Sequence, residues 1–250
     1  MLIEACNYCF ERWFSLYALG YCVLGFEGLL DVGWRYINRI FALLHATGCV
    51  IYTIRIINRF GLFELWQWDF YYSNREGIIE VAKLNAFMQA YLLVDATFNI
   101  FELIRTRFFN TRYQIVPIDW MMFIHHIVGA SSMMAFIVTE RLQFNSVYYA
   151  FTELSTIPLH LGWFIHNLNY QNTPVFKQIF ITLSILIVVT FFMLRNLGSF
   201  IVMYYIYENY YKIRAMNWIV QSFIFYGNTA ITILNFVWFY KIIKMAMKIF

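Results

Sequence analysis

The stretch IFITLSILIVVTFFMLRN, Ile179–Asn196, decides what kind of protein this is: sixteen residues without a charge, ending in Arg195-Asn196. A helix needs about 20 predominantly apolar residues to cross a bilayer's hydrocarbon core, and the flanking residues extend this run to 175–207. An arginine at its end requires an acidic partner or access to the interface, and Glu153 and Asp95 are the candidates. Hydrophobic residues make up 62% of the 250-residue chain and charged residues 13%, too little charge to clothe a water-soluble globule.

Six further runs of similar character occur, at 10–30, 36–58, 79–101, 118–139, 144–166 and 217–243, so the sequence predicts an all-α integral membrane protein with seven transmembrane helices. The segment from Arg59 to Lys83 mixes Trp66, Trp68, Phe70, Tyr71 and Tyr72 with Glu64, Asp69, Arg75 and Glu76. It suits an interfacial loop or short surface-lying helix. The remaining connections are short and no Ser/Gly/Pro-rich linker divides the chain, which gives an N-terminal anchor helix over 1–35 and one membrane domain over 36–250. Glu4 and Glu11 replace the basic start of a cleavable signal peptide, so the first run reads as a signal anchor.

Seven crossings place the termini on opposite sides. Arg105, Arg107, Arg112, Lys241, Lys244 and Lys248 then share the side that the positive-inside rule makes cytosolic, with the N-terminus lumenal. The bias is slight, because Arg55, Arg59, Arg75, Lys212 and Arg214 lie opposite. No run of consecutive Lys and Arg provides a nucleic-acid footprint. Cys6, Cys9, Cys22 and Cys49 all fall in the first fifth of the chain and supply no disulfide framework. No metal site or resident cofactor is expected.

Polar side chains inside apolar spans are expensive, so their spacing carries information. Asp95, Asn99 and Glu102 follow i, i+4, i+7 on one face, either as a polar cavity wall or with Asp95 alone buried and Glu102 at the helix end. His125 and His126 sit about two turns inside the next span, roughly 100° apart, so they serve different neighbours rather than one metal ion. One could act as a general base and the other fix a helix, or both could be structural. Glu153, Thr156 and His160 recur along the following span, where Pro158 should kink or break the helix. Gln221, Asn228 and Asn235 recur every seven residues with Thr232, a stripe suited to interhelical hydrogen bonds. His45 and Tyr52 share a face and read as packing. Five spans with polar faces imply one common polar interior.

Three stretches in order, Tyr91–Asp95, Asp119-Trp120 leading to His125-His126, and Glu153-Leu154-Ser155-Thr156-Ile157-Pro158 leading to Trp163, resemble the TLC-domain family over roughly 36–245. That group includes ceramide synthases, translocon-associated membrane proteins and small membrane-lipid regulators. The resemblance implies six helices around a lipid-accepting cavity in the endoplasmic reticulum or a related membrane, here with one extra N-terminal helix. In the synthases the histidine pair serves acyl transfer from acyl-CoA to a long-chain base, which by resemblance would make His125 and His126 catalytic and Asp95, Asn99, Glu153, Thr156, His160 and Arg195 substrate-binding. Where synthases continue with His-Asp, this chain has Thr152-Glu153, closer to the small TLC-domain proteins. The leading expectation is therefore a protein that binds or senses membrane lipid, sphingolipid or phospholipid, and affects lipid homeostasis. An acyltransferase using acyl-CoA as co-substrate and a sphingoid base as acceptor is the alternative, and self-association is left open. A seven-helix receptor or photoreceptor is disfavoured, since no lysine occupies the body of the last span to form a retinal Schiff base and Glu102 is followed by Leu103, Ile104 and Arg105 where a receptor would carry an Asp-Arg-Tyr-like signature.

Overall fold

In a computed structural model, the described residues are 9, 11–16, 18–19, 30–68, 70–108, 120–168 and 173–247. Among them the structure is helical with no strand. The helices are α1 (Leu30–Phe60), α2 (Leu62–Trp66), α3 (Phe70–Ser73), α4 (Arg75–Phe108), α5 (Trp120–Thr139), α6 (Gln143–Thr152), α7 (Thr156–Asn167), α8 (Pro174–Thr190), α9 (Gly198–Glu208), α10 (Tyr210–Arg214), α11 (Trp218–Ser222) and α12 (Asn228–Ala246). A 3₁₀ turn over Glu153–Ser155 joins α6 to α7, and π-helical turns over Phe191–Leu197 and Phe223–Gly227 join α8 to α9 and α11 to α12.

Five of the described segments are long and apolar enough to cross a membrane: Tyr36–Phe60, Arg75–Phe101, Trp120–Thr139, Pro174–Glu208 and Trp218–Ala246. The expected span 144–166 is divided between α6 and α7, because Pro158 has no N–H for the Leu154 carbonyl and the chain tightens to 3₁₀ geometry just upstream. Residues 20–29 of the expected first span, together with Asp119, lie outside the described residues. The aromatic segment after α1 forms the short helices α2 and α3.

Local chemistry sets the helix ends. Asn74 Oδ1 accepts from Gly77 N at 2.9 Å and Asn217 Oδ1 from Ile219 N at 2.9 Å, each taking up an N–H that has no partner within its helix. Pro174 opens α8, where its fixed φ suits the first turn. Between α5 and α6 the chain turns through Glu140 (φ 51°) and Leu142 (φ 63°), left-handed conformations that side chains with a Cβ adopt only under constraint. The constraints are the buried Leu142 side chain and an ion pair from Glu140 Oε2 to Arg75 Nη1 at 2.7 Å.

The long segments close into a ring: α1 packs on α4, α4 on α5, α5 on the α12 segment, α12 on the α8 segment, α8 on α7 and α7 back on α1. Helix α6 caps one end where it enters from the α5/α6 turn, and it touches α1, α4 and the π-turn before α9. That end is filled by the largest apolar core, which includes Ile56, Leu84, Phe136, Val147, Tyr205 and Ile224. The N-terminal Trp13 docks in the α1/α4 seam, edge-on to Phe41 and Tyr91 at 6.3 and 5.3 Å. The ring interior towards the opposite end carries the polar groups.

Candidate functional site

Helix α4 brings Asp95 to the interior, where it is buried. Asn99, one turn on, donates to both Asp95 Oδ2 (2.9 Å) and the Asp95 carbonyl (2.8 Å). Across the α4/α5 interface, His126 Nδ1 lies 2.8 Å from Asp95 Oδ2, close enough for an ion pair but not aligned as a conventional hydrogen bond. A carboxylate beside the imidazole fixes the ring's orientation and favours a proton on that nitrogen. His125 points elsewhere, as the 100° offset requires: its ring meets Trp238 of α12 edge-on at 4.9 Å, and its Nδ1 is buried without a hydrogen-bond partner. The two rings, 5.7 Å apart, thus serve different neighbours.

Of the two candidate partners for Arg195, Glu153 and Asp95, the structure brings Glu153 to it. Arg195 Nη2 donates to Glu153 Oε1 and Thr156 Oγ1, both at 3.0 Å, and Nε donates to Ser155 Oγ at 2.8 Å. The 3₁₀ turn makes this possible, because it compresses Glu153, Ser155 and Thr156 onto one short arc facing the arginine. The π-turn around Arg195 contributes too. It widens the helix so that carbonyls meet side chains: Leu194 O accepts from Tyr148 Oη at 2.8 Å, and Arg195 O accepts from Ser199 Oγ and, at 3.4 Å, from Asn235 Nδ2. Single π-helical turns inside α-helices occur often at functional sites.

Gly198 fixes this geometry, since a Cβ there would stand 1.3 Å from Tyr148 Oη. The Asn228–Asn235 stripe makes the expected interhelical bonds, Tyr149 donating to Asn228 Oδ1 and Asn235 Nδ2 standing 3.5 Å from Ser199 Oγ. Gln221 instead donates to the carbonyls of Arg214, at the end of α10, and Met216, in the loop before α11.

His160 does not join the Asp95 or Glu153 groups by hydrogen bond. Its Nδ1 stands 3.3 Å from Arg39 Nη1, and the Arg39 guanidinium lies 5.5 Å from the centre of the Trp163 ring. Arg39 was not anticipated: a cation near the start of an apolar run reads as a snorkelling residue, and nothing in its spacing marks it as a partner of His160. Ser155 and Tyr148 were also missed. His45 packs as expected, stacked on Tyr91 at 3.9 Å with Cys49 Sγ 3.3 Å from its Nε2. The side chain of Glu102 lies outside the described residues. Among the described residues no group of three or more His, Cys, Asp or Glu side chains could hold a metal ion.

Electrostatic interactions link these groups: His125 lies within reach of both Arg195 and Glu153, His45 of Glu153, His126 and Asp95, and His160 of Glu153 and Asp95. The side chains from α1, α4, α5, α7 and the α8/α9 segment therefore share one interior. At the capped end a separate hollow of about 10 Å³ is lined by Asn85, Glu140, Arg141 and Gln143 among others. Asn85 Nδ2 donates to Ser146 Oγ at 3.0 Å and Gln143 Nε2 donates to the Glu140 carbonyl, which leaves Asn85 Oδ1 and Gln143 Oε1 buried and unpartnered.

A ring of helical segments long and apolar enough to cross a membrane, closed around buried ionisable side chains, is the architecture of a multi-pass integral membrane protein. A family model described as the TLC domain matches residues 35–244, and the chain belongs to that family. It is 28% identical over 132 residues to TLC domain-containing protein 4 A of Dictyostelium discoideum, a match covering 52% of this chain and 49% of that protein, so the chain spans about half the length of this relative. No solved structure gives a significant match.

Proposed function

We propose that this chain binds membrane lipid within its helical ring and acts in lipid sensing or homeostasis. The observation that carries the reading is the convergence of Asp95, His126, His125, Glu153 and Arg195 from four helical segments on one interior, which is costly in hydrocarbon and is retained where a polar ligand group is received. An open groove of about 260 Å³, lined by Gln89, Leu93, Ala130, Ser131, Met134 and Phe223, offers apolar surface on which an acyl chain can lie. The TLC-domain membership supports a lipid role. In this reading α6 and α7 together make a sixth crossing of the domain and the N-terminal segment a seventh, in the endoplasmic reticulum or a related membrane, with the N-terminus lumenal and the C-terminus cytosolic.

The test is lipidomics of cells expressing the wild type or the His125→Ala/His126→Ala variant, combined with analysis of lipid that copurifies with each. A changed sphingolipid or phospholipid profile in the wild type alone, and a lipid retained by the wild type, are expected. Identical profiles with no copurifying lipid would overturn the reading.

A second reading, acyl transfer from acyl-CoA to a lipid amine, is favoured by one observation: the Asp95 carboxylate stands against His126 Nδ1, the arrangement that leaves the opposite ring nitrogen to act as a base. The amine nitrogen would attack the thioester carbonyl, His126 would take the amine proton, and the C–S bond would break to release the thiol carrying that proton. Glu153, Thr156 and Arg195 would position the acceptor. Purified protein that forms no acylated product from labelled acyl-CoA and a panel of long-chain bases would exclude it.

A further inference from the structure

The N-terminal segment described at 9, 11–16 and 18–19 lies ahead of the stretch that matches the TLC domain, and its described residues are helical. Among them Trp13 alone is buried, at 6% exposure, while Phe14, Leu16 and Leu19 are exposed. The segment is held to the rest of the protein chiefly through one side chain.

Trp13 sits in a box of rings, with Phe41 and His45 of α1 at 6.3 and 6.1 Å and Phe87 and Tyr91 of α4 at 5.6 and 5.3 Å. It therefore straddles the α1/α4 seam from outside the ring. Behind it His45 stacks on Tyr91 at 3.9 Å, Tyr91 meets the His126 ring edge-on at 6.2 Å, and His126 stands against Asp95. Trp13, then the His45–Tyr91 stack, then His126 are what separate the outside of the ring from Asp95.

Elsewhere the ring helices close on each other directly. A Cβ on Gly129 of α5 would come within 3.1 Å of Leu92 Cδ1 on α4, and nearer the capped end a Cβ on Gly48 of α1 would stand 3.0 Å from Phe87 Cζ. At the level of Tyr91, by contrast, part of the closure comes from a separate element. In water the hydrophobic effect would hold a docked tryptophan in place. Lipid tails are as apolar as the box, so in a bilayer Trp13 is held by ring packing alone. Its departure leaves room for the His45 and Tyr91 rings to change rotamer.

We propose that this N-terminal segment is a strap latched by Trp13, and that its release opens the α1/α4 seam between the bilayer and the Asp95–His126 group. What passes through the seam rests on the lipid-binding reading above; the latch itself does not. Cys49 is a native reporter of opening, because its fully buried thiol lies 3.3 Å from His45 Nε2 and is uncovered when that ring moves.

The experiment uses the full chain in phosphatidylcholine nanodiscs, with Cys6, Cys9 and Cys22 replaced by alanine. Reaction of Cys49 with N-cyclohexylmaleimide, an apolar probe that partitions into the bilayer, is followed by intact-mass spectrometry. Trp13→Ala should speed labelling about tenfold through the loss of several aromatic pairs, and Trp13→Phe, which keeps a ring in the box, should stay near the wild-type rate. A control reporter, Val147→Cys combined with Cys49→Ala, lies in the capped-end core and should label equally slowly with Trp13 or alanine at position 13. An unchanged Cys49 rate in Trp13→Ala overturns the strap and leaves the lipid-binding reading standing. Equal acceleration at Cys49 and at the control position marks Trp13 as a general packing residue and also overturns it. Cys49 uncovered only in Trp13→Ala, in a protein with which no lipid copurifies, supports the strap and overturns the lipid-binding reading.

Discussion

Replacing Arg195 with methionine removes a guanidinium whose side chain is 8% exposed and leaves Glu153, 16% exposed, facing the interior unpaired. At the observed 3.0 Å and an effective dielectric constant near 20, the attraction between the two charges is roughly 5–6 kcal/mol before desolvation is subtracted. Two further bonds, to Ser155 and Thr156, disappear as well. Ser155 Oγ already donates to the Thr152 carbonyl, so its loss is small. Removing one member of a buried pair costs ~3–5 kcal/mol, most of it the penalty on the abandoned partner, and Glu153→Leu should cost a similar amount by stranding Arg195. Replacing both leaves no buried charge, and Arg195→Met/Glu153→Leu should lie within ~2 kcal/mol of wild type. The coupling in this double-mutant cycle should therefore exceed ~3 kcal/mol. Reversible unfolding in mixed micelles, titrated with dodecyl sulfate and followed by tryptophan fluorescence, measures it. A double variant whose cost equals the sum of the single costs would refute the claim that the two groups form one buried pair.

Gly198→Ala should be severely destabilising, with rescue by Tyr148→Ala but not by Tyr148→Phe, because the added Cβ would also lie 2.3 Å from Tyr148 Cζ; melting temperatures of the three proteins decide this. Tyr148→Phe alone should cost about 1 kcal/mol through the unfilled Leu194 carbonyl, read from the same melts. In a cysteine-free background, single cysteines at Lys177 and Lys244 should react with an impermeant maleimide from one side of the membrane and cysteines at Glu140 and Lys212 from the other; labelling of Lys177 and Glu140 from the same side would show that 143–167 does not cross. The hollow beside Asn85 has the room of about one water molecule, and high-resolution maps should show one bridging Asn85 Oδ1 and Gln143 Oε1.

Five of the expected spans were legible because an apolar run of bilayer length has few uses outside a membrane, and the ends of the last two long segments fall within a few residues of those read from the sequence. The Arg195–Glu153 pair was legible for the same reason: a cation in that setting demands an acid, and few acids lie at comparable depth. Asp95 and Asn99 were found through helical spacing, since hydrogen-bonding at i, i+4 requires only one helix. What spacing could not supply was anything created by ring closure. Ser155 and Thr156 reach Arg195 only because the backbone at Glu153 leaves α geometry. Arg39 meets His160 only because α7 returns beside α1. The two π-turns have no periodic signature, because one extra residue in a turn leaves no mark on composition and the widened backbone is held by side chains from other helices, Tyr148 and Asn235 in the first case. The division of 144–166 into two helices was foreshadowed by Pro158, although the 3₁₀ turn falls before the proline.

The π-turn over Phe191–Leu197 also keeps the residues after it in phase. A π-turn holds one residue more than the α-helical turn it replaces, so deleting a single residue from this segment would restore regular winding and leave α9 in nearly the same rotational phase relative to α8. Val202, Tyr205 and Ile206 would keep their places in the core, whereas the same deletion in the regular winding of α8 would turn them by about 100°. The extra residue therefore acts as slack in the helix: deleting it would disturb the carbonyls of Leu194 and Arg195 that Tyr148 and Asn235 meet, and leave the packing of the capped end in register.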